Sequence, residues 1–128
     1  MALKVNVMSR RPGVFVVAPI GAIDAAGNSL FQEKVTSVVN QRPDVIILDM
    51  EFTDYINSSG LRVLIAARKA LKAYGGKVVY MKLQPQIKKV FDILSAMPSF
   101  RIFASIEELD GYLDAMQTRS AAGLAGDE

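Results

Sequence analysis

Alternating apolar and polar residues at the start of the chain predict two short strands. Residues 3–7 alternate strictly, and residues 14–18 form a second apolar run. Period-two alternation places successive side chains on opposite faces of a sheet. Arg11-Pro12-Gly13 separates the two runs and has the composition of a tight turn. We therefore expect an antiparallel hairpin at the N-terminus.

After this hairpin, helical and extended patterns alternate along the chain. The predicted elements are, in order, a helix at 25–41, a strand at 45–49, a helix from 58 to the glycines at 75–76, a strand at 77–81, a helix opening at 84–85, a short edge strand at 101–103 and a last helix from 105. Such alternation favours parallel strands joined by right-handed crossovers. We expect an α/β fold with a mixed sheet of four to five strands and about four helices.

The chain length is consistent with a single domain. A chain of 128 residues, half of them apolar, has enough material for one hydrophobic core. No internal repeat or linker divides it. From Thr118 onward the residues are mainly Ala, Gly and charged types, which is typical of a loose end. We predict a domain at residues 1–117 and a flexible tail at 118–128.

The absence of two residue types restricts the possible chemistry. The sequence has no cysteine and no histidine. Disulfides, thiolate metal sites and cysteine nucleophiles are therefore excluded, and a Ser-His-Asp triad cannot form. Histidine is also the commonest general base and metal ligand. We expect a protein that is not an enzyme, with no metal and no cofactor.

Charge and hydropathy argue against nucleic acid and membrane as partners. The net charge is only +2, and the basic residues are spread along the chain rather than forming one stripe. The apolar stretch at residues 14–23 follows two arginines as a signal sequence would, but Pro19 and Gly21 interrupt it. No run approaches the roughly 20 apolar residues of a membrane span. We expect a soluble, cytoplasmic protein that is a monomer or a weak dimer.

Four carboxylates follow predicted strands and deserve a separate interpretation. They are Asp24, Asp49, Glu51 and Asp54. Aspartates grouped at one sheet edge bind Mg²⁺ or accept phosphate in receiver domains, but such a domain needs adjacent acidic residues after its first strand, and none is present here. We therefore expect Asp49, Glu51 and Asp54 to be solvated loop or capping residues. For Asp24, a structural and a functional role remain open.

The turn Asn57-Ser58-Ser59-Gly60 joins the apolar strand at 45–49 to the longest predicted helix. A serine at a helix start can accept hydrogen bonds from backbone N–H groups that have no partner within the helix. Ser58 is therefore either a simple cap or a hydroxyl presented to solvent at the positive end of the helix. The sequence has no Gly-x-x-x-x-Gly-Lys-Ser/Thr phosphate-binding loop and no Gly-x-Gly-x-x-Gly motif after a strand, so nucleotide binding is a much weaker hypothesis.

This turn resembles the signature of the STAS domain, the family of anti-sigma-factor antagonists, which runs Asp-Ser-Ser/Thr-Gly-Leu at a helix start. Two further stretches resemble family landmarks in the same order. They are Gly21-Ala-Ile-Asp24, at the place of a Gly-Glu-Leu-Asp motif, and Tyr74-Gly-Gly-Lys-Val-Val79 with the helix that follows it. The resemblance covers about residues 3–117. It departs from the family pattern at Asn57, where phosphorylated members usually carry Asp.

The resemblance implies a partner switch. The domain would dock on an anti-sigma factor that is also a serine kinase, the kinase would phosphorylate Ser58, and a serine phosphatase would reset it. A phosphoserine adds about −1.5 to −2 charges. A helix N-terminus tolerates this charge, but an apolar or acidic contact surface would repel it. We therefore expect binding to change while the fold does not.

The same resemblance assigns roles to the neighbours of Ser58. Ser59 would serve the helix start, and Gly60 would leave room for a closely approaching backbone. Arg62 would point outward and contact a partner or solvent. Asp24 would lie across from Ser58 and help to position it or the kinase's Mg²⁺–nucleotide, or else cap a helix, and Asn57 would form the turn. The partner-binding residues that we expect are Asp24, Asn57, Ser58, Ser59, Gly60 and Arg62.

Two matters stay open at this level. Tyr55 and Ile56 form either an exposed apolar patch or a buried support beneath the turn. The alternative function is a STAS scaffold, or a subunit of a transporter or signalling complex, that uses this fold without phosphorylation. Asn57 motivates that alternative, because it lacks the charge next to the acceptor.

Overall fold

The computed structural model describes residues 2–96 together with Gly111, Leu113 and Gln117. Its elements are β1 (Lys4–Arg11), β2 (Val14–Ile20), α1 (Asn28–Val39), β3 (Val45–Asp49), α2 (Ser58–Lys72), β4 (Lys77–Met81) and α3 (Pro85–Ala96). Gly111, Leu113 and Gln117 are helical. The edge strand expected at 101–103, most of the last helix and the tail at 118–128 lie outside the described residues.

The four strands form one mixed sheet in the order β1-β2-β3-β4. The pair β1–β2 is the expected antiparallel hairpin, while β3 runs parallel to both β2 and β4. Gly13 closes the hairpin with a φ of 80°, a left-handed conformation that glycine adopts without steric cost. This arrangement confirms the α/β fold and the mixed sheet. It also places the carboxyl ends of β2, β3 and β4 at one edge.

One face of the sheet forms the core with the helices. Val17 and Leu48 are neighbours in register on this face, and both are fully buried. The helices contribute their apolar stripes, as the 3.6-residue spacing predicts. The largest side chains of this core are Phe31, Ile23, Ile46, Leu48, Met50, Ile56, Leu61, Leu64, Leu71 and Ile87. No helix in the described part of the chain is long and apolar enough to cross a membrane.

The opposite face of the sheet is apolar but not buried. A row of neighbours in register crosses all four strands on this face: Met8, Val16, Ile47 and Val79. Val16 and Ile47 are half-buried, whereas Met8 and Val79 are exposed. We call this row, with Met81 beside it, the open sheet face.

The start of α1 differs from its prediction. The helix begins at Asn28 rather than at Ala25, and its N-cap is Gly27, which makes no side-chain hydrogen bond. Asn28 is the first residue of the helix and does not cap it. Its Oδ1 is buried and has no hydrogen-bond partner among the described residues. The residues before it form a separate turn, because the carboxylate of Asp24 binds the backbone there.

Candidate functional site

The loop at residues 50–57, which leads from β3 into α2, is fixed to the neighbouring strands by hydrogen bonds. The buried Thr53 hydroxyl donates to the Pro19 carbonyl at 2.9 Å. The Gly21 amide donates to the Phe52 carbonyl at 2.9 Å, and the Met50 amide to the Met81 carbonyl at 3.0 Å. The carboxyl ends of three parallel strands are thus tied together, and the turn before α2 sits on a rigid support.

A short parallel bridge between Ile23 and Ile56 joins the loop after β2 to this turn. The Ile23 amide donates to the Tyr55 carbonyl at 2.9 Å, and the Asn57 amide donates to the Ile23 carbonyl at 3.0 Å. Asp24 directly follows Ile23. The structure therefore brings the loop with Gly21-Ala-Ile-Asp24 next to the turn before α2.

Gln117 holds the same turn from the C-terminal helix. Its side-chain carbonyl accepts from the Ile56 amide at 2.8 Å, and its side-chain amide donates to the Ile56 carbonyl at 2.7 Å. One side chain thus pairs both backbone groups of Ile56, as a neighbouring strand would. Gln117 is buried. Sequence reasoning missed this contact, because a glutamine at the end of an amphipathic helix gives no signal of its partner.

Asn57, not Ser58, is the N-cap of α2. Its backbone is extended, and its side-chain Oδ1 accepts from the Gly60 amide at 2.9 Å. This bond satisfies one of the amides that a helix start leaves without an internal partner. The expected turn-forming role of Asn57 is confirmed. The interpretation of Ser58 as the cap is wrong.

Ser58 is also not presented to solvent, since it is only 1% exposed. It occupies the first helical position, three residues before the buried Leu61, so the two lie on the same core-facing side of α2. The expectation of an exposed hydroxyl at Ser58 is therefore wrong. Ser59 and Arg62, which are also three residues apart, are both exposed on the outer side. The outward direction expected for Arg62 is confirmed.

Gly60 is required by close packing. A Cβ at this position would lie 2.7 Å from Cγ2 of Ile23 and 2.9 Å from Cγ1 of Ile56. Both isoleucines are fully buried. The glycine thus makes room for two core side chains, rather than for the backbone that the sequence interpretation expected. It lets α2 start directly against the Ile23–Ile56 bridge.

Asp24 has a structural role in its own loop. Its exposed carboxylate accepts from the amides of Ala26 at 3.1 Å and Gly27 at 3.3 Å. These bonds fix the turn before α1. Asp24 is not the cap of this helix, since the N-cap is Gly27, so the capping alternative is wrong. Asp24 is exposed, and it lies at the same edge of the sheet as the start of α2.

The other carboxylates behave mainly as loop residues. Asp49 accepts from the Glu51 amide at 3.1 Å, Glu51 pairs with Lys82 at 3.4 Å, and Asp54 is exposed. Within the part of the chain that the structure describes, no group of three or more His, Cys, Asp or Glu residues could hold a metal ion.

The aromatic and apolar residues before α2 divide into a buried and an exposed group. Ile56 is fully buried and Tyr55 half-buried, so these two mainly support the turn. Phe52 is 61% exposed. The sequence analysis did not name Phe52 as a candidate. An aromatic residue in a loop at the carboxyl end of a parallel strand could have indicated a binding residue.

Comparison with known proteins gives consistent matches. A family model described as the STAS domain matches residues 7–109. The Bordetella bronchiseptica protein BtrV, which bears the designation anti-sigma factor antagonist, is 27% identical over 100 residues, covering 78% of this chain and 86% of the relative.

Two solved structures share the fold. The Bacillus cell fate determinant SpoIIAA in its phosphorylated form has a TM-score of 0.62 and 20% identity, covering 74% of this chain and 86% of that one. An anti-sigma factor antagonist from Mycobacterium paratuberculosis has a TM-score of 0.62 and 23% identity, covering 90% and 94% of the two chains. With the match to most of its length and the landmark turn at the start of α2, this chain belongs to the STAS domain family.

Proposed function

We propose that this chain is an anti-sigma-factor antagonist, a binding module without catalytic activity that docks on an anti-sigma-factor serine kinase. In this proposal phosphorylation of Ser58 ends the binding, and a serine phosphatase restores it. The observation that carries the proposal is the STAS signature turn at the start of α2, with Asn57 as the N-cap and Ser58 as the first helical residue. The designation of BtrV and the phosphorylated form of SpoIIAA support it.

The docking surface that we infer combines residues from two loops and α2. We call it the α2-edge surface, and its exposed members are Asp24, Phe52, Ser59 and Arg62. Aromatic residues and arginine are the residue types that contribute most to binding free energy in protein interfaces. The hydrogen bonds beneath this surface hold its loops in place, which lowers the conformational entropy lost on binding.

Burial of Ser58 gives the proposed switch a structural consequence. A kinase can reach its hydroxyl only when the first turn of α2 separates from the core. A phosphate then adds about −1.5 to −2 charges, and a charge of that size is costly to return to a buried site. Phosphorylation would therefore keep the turn displaced and change the shape of the α2-edge surface as well as its charge.

The test is to incubate the chain with ATP and its kinase, sought among proteins encoded beside it, and to map the phosphate by mass spectrometry. We expect one phosphate, lost in Ser58→Ala and retained in Ser59→Ala. Hydrogen exchange should become faster at the start of α2 in the phosphorylated form. Calorimetry should show weaker kinase binding for that form.

Two other outcomes would change the assignment. A phosphate that survives in Ser58→Ala but disappears in Ser59→Ala would move the acceptor to the exposed hydroxyl. No phosphate at all, with stable kinase binding, would overturn the switch and leave only the docking.

The second candidate is a STAS module that binds a transporter or signalling complex without being phosphorylated. The burial of Ser58 favours it, as does Asn57 in place of a charged residue. Affinity purification should then recover subunits of such a complex, in equal amounts with the wild type and with Ser58→Ala.

A further inference from the structure

A cleft of about 530 Å³ lies between α2, β4 and α3. Its volume falls within the range of about 300–1,000 Å³ that is usual for small-molecule sites. Among the residues that the structure describes, the apolar part of its lining consists of Leu61, Leu64, Ile65, Leu83 and Phe91. An apolar lining of this size favours a ligand with a hydrocarbon portion.

Three cations line the same cleft along the second half of α2: Arg68, Lys69 and Lys72. None of the three forms an ion pair with another described residue. The acidic lining residue Asp92 is already paired with Lys88, at 3.0 Å. The cleft therefore offers positive charge at one end, and an anion would complement it.

Tyr80 also lines the cleft. Its ring packs edge-on against Phe91, with 4.7 Å between the ring centroids. Burial raises the pKa of its hydroxyl, and the neighbouring Arg68 opposes that increase. A tyrosine hydroxyl can donate a hydrogen bond to an anion, and Arg68 lies close enough to affect it.

We propose that this cleft binds an amphipathic anion, an alkyl chain that ends in a carboxylate. The chain would lie on the apolar lining, and the carboxylate would bind Arg68, whose guanidinium matches it with two parallel hydrogen bonds. Lys72 would add a second positive charge. This site is separate from the α2-edge surface, and the proposal does not depend on the function proposed above.

Calorimetry with laurate, kept below its micelle concentration, tests the proposal on the full chain. We expect laurate to bind at one site, while acetate and lauryl alcohol bind at least about tenfold more weakly, because each lacks one of the two recognised parts. Arg68→Gln should weaken laurate binding by about tenfold or more, since a hydrogen-bonded charge partner is lost. Ile65→Trp should weaken it by filling the cleft.

The matched control is Lys34→Gln, which removes an exposed cation on α1 outside the cleft. It should leave the affinity unchanged, and thermal unfolding should show that all variants are folded. Three results would overturn the proposal: no laurate binding, equal binding by lauryl alcohol, or an equal effect of Arg68→Gln and Lys34→Gln.

Discussion

At the scale of single residues, the side chain of Asn57 decides how α2 starts. We expect Asn57→Ala to lower the free energy of unfolding by about 1 kcal/mol, because the Gly60 amide loses its acceptor. Asn57→Asp keeps an acceptor and places a negative charge at the positive end of the helix. We expect this charge to raise the free energy of unfolding by about 0.3–1 kcal/mol. Urea unfolding of both variants measures the difference.

Ser59→Ala is the control for this pair, since it changes an exposed hydroxyl at the same helix start. It should stay within about 0.5 kcal/mol of the wild type. If Asn57→Asp were as destabilising as Asn57→Ala, the capping bond would not be the source of the effect.

The serines show what residue-level prediction captured and what it missed. The sequence predicted where the turn lies, because its glycine and its asparagine each have a local conformational preference. The direction of Ser58 was missed because its cap role was considered without extending the helical spacing backward from Leu61. That spacing places Ser58 inward and Ser59 outward. The partner of Gln117 was not predictable, since that contact spans 61 positions of the sequence.

At the scale of elements, the C-terminal helix supports the start of α2 through Gln117. We expect Gln117→Leu to destabilise the fold by about 1–3 kcal/mol for each backbone group of Ile56 that stays buried without a partner. Hydrogen exchange at the Ile56 amide should become faster, because its acceptor is gone. Denaturant unfolding and exchange measured by NMR check the two effects.

The comparison variant is Gln32→Leu, which replaces an exposed glutamine on α1. It should change the free energy of unfolding by less than about 0.5 kcal/mol. Hydrogen exchange at the Ile56 amide should stay as in the wild type. Unaltered exchange at Ile56 in Gln117→Leu would show that the side chain does not hold this turn.

The element order itself followed well from the sequence. Strict alternation gave the hairpin, and the β-branched run gave β3, because these patterns match the geometry of strands directly. The start of α1 was placed too early, since apolar spacing does not show that Asp24 folds the preceding residues into a separate turn. Helix ends depend on such capping contacts more than on the periodicity of the helix.

At the scale of the whole molecule, two exposed apolar side chains allow the proposed docking surface to be tested. Phe52 on the α2-edge surface and Met8 on the open sheet face are each 61% exposed. We expect Phe52→Ala to weaken binding to the anti-sigma-factor kinase by about tenfold or more, as truncation of an aromatic anchor does. Met8→Ala should leave the affinity unchanged. Calorimetry on both variants gives the comparison.

Neither substitution should alter stability much, because both side chains lie largely in solvent. A larger loss of affinity with Met8→Ala would place the kinase on the open sheet face. Equal, wild-type affinity of both variants would exclude Phe52 as an anchor.

The layered arrangement also determines where oxidants would attack. Met8 and Met81 lie on the face that the described helices leave bare, whereas Met50 is fully buried. Conversion to the sulfoxide makes a methionine side chain polar, which disrupts a packed interior but not a wet surface. Among the methionines that the structure describes, mild peroxide should therefore oxidise Met8 and Met81 and leave Met50 intact.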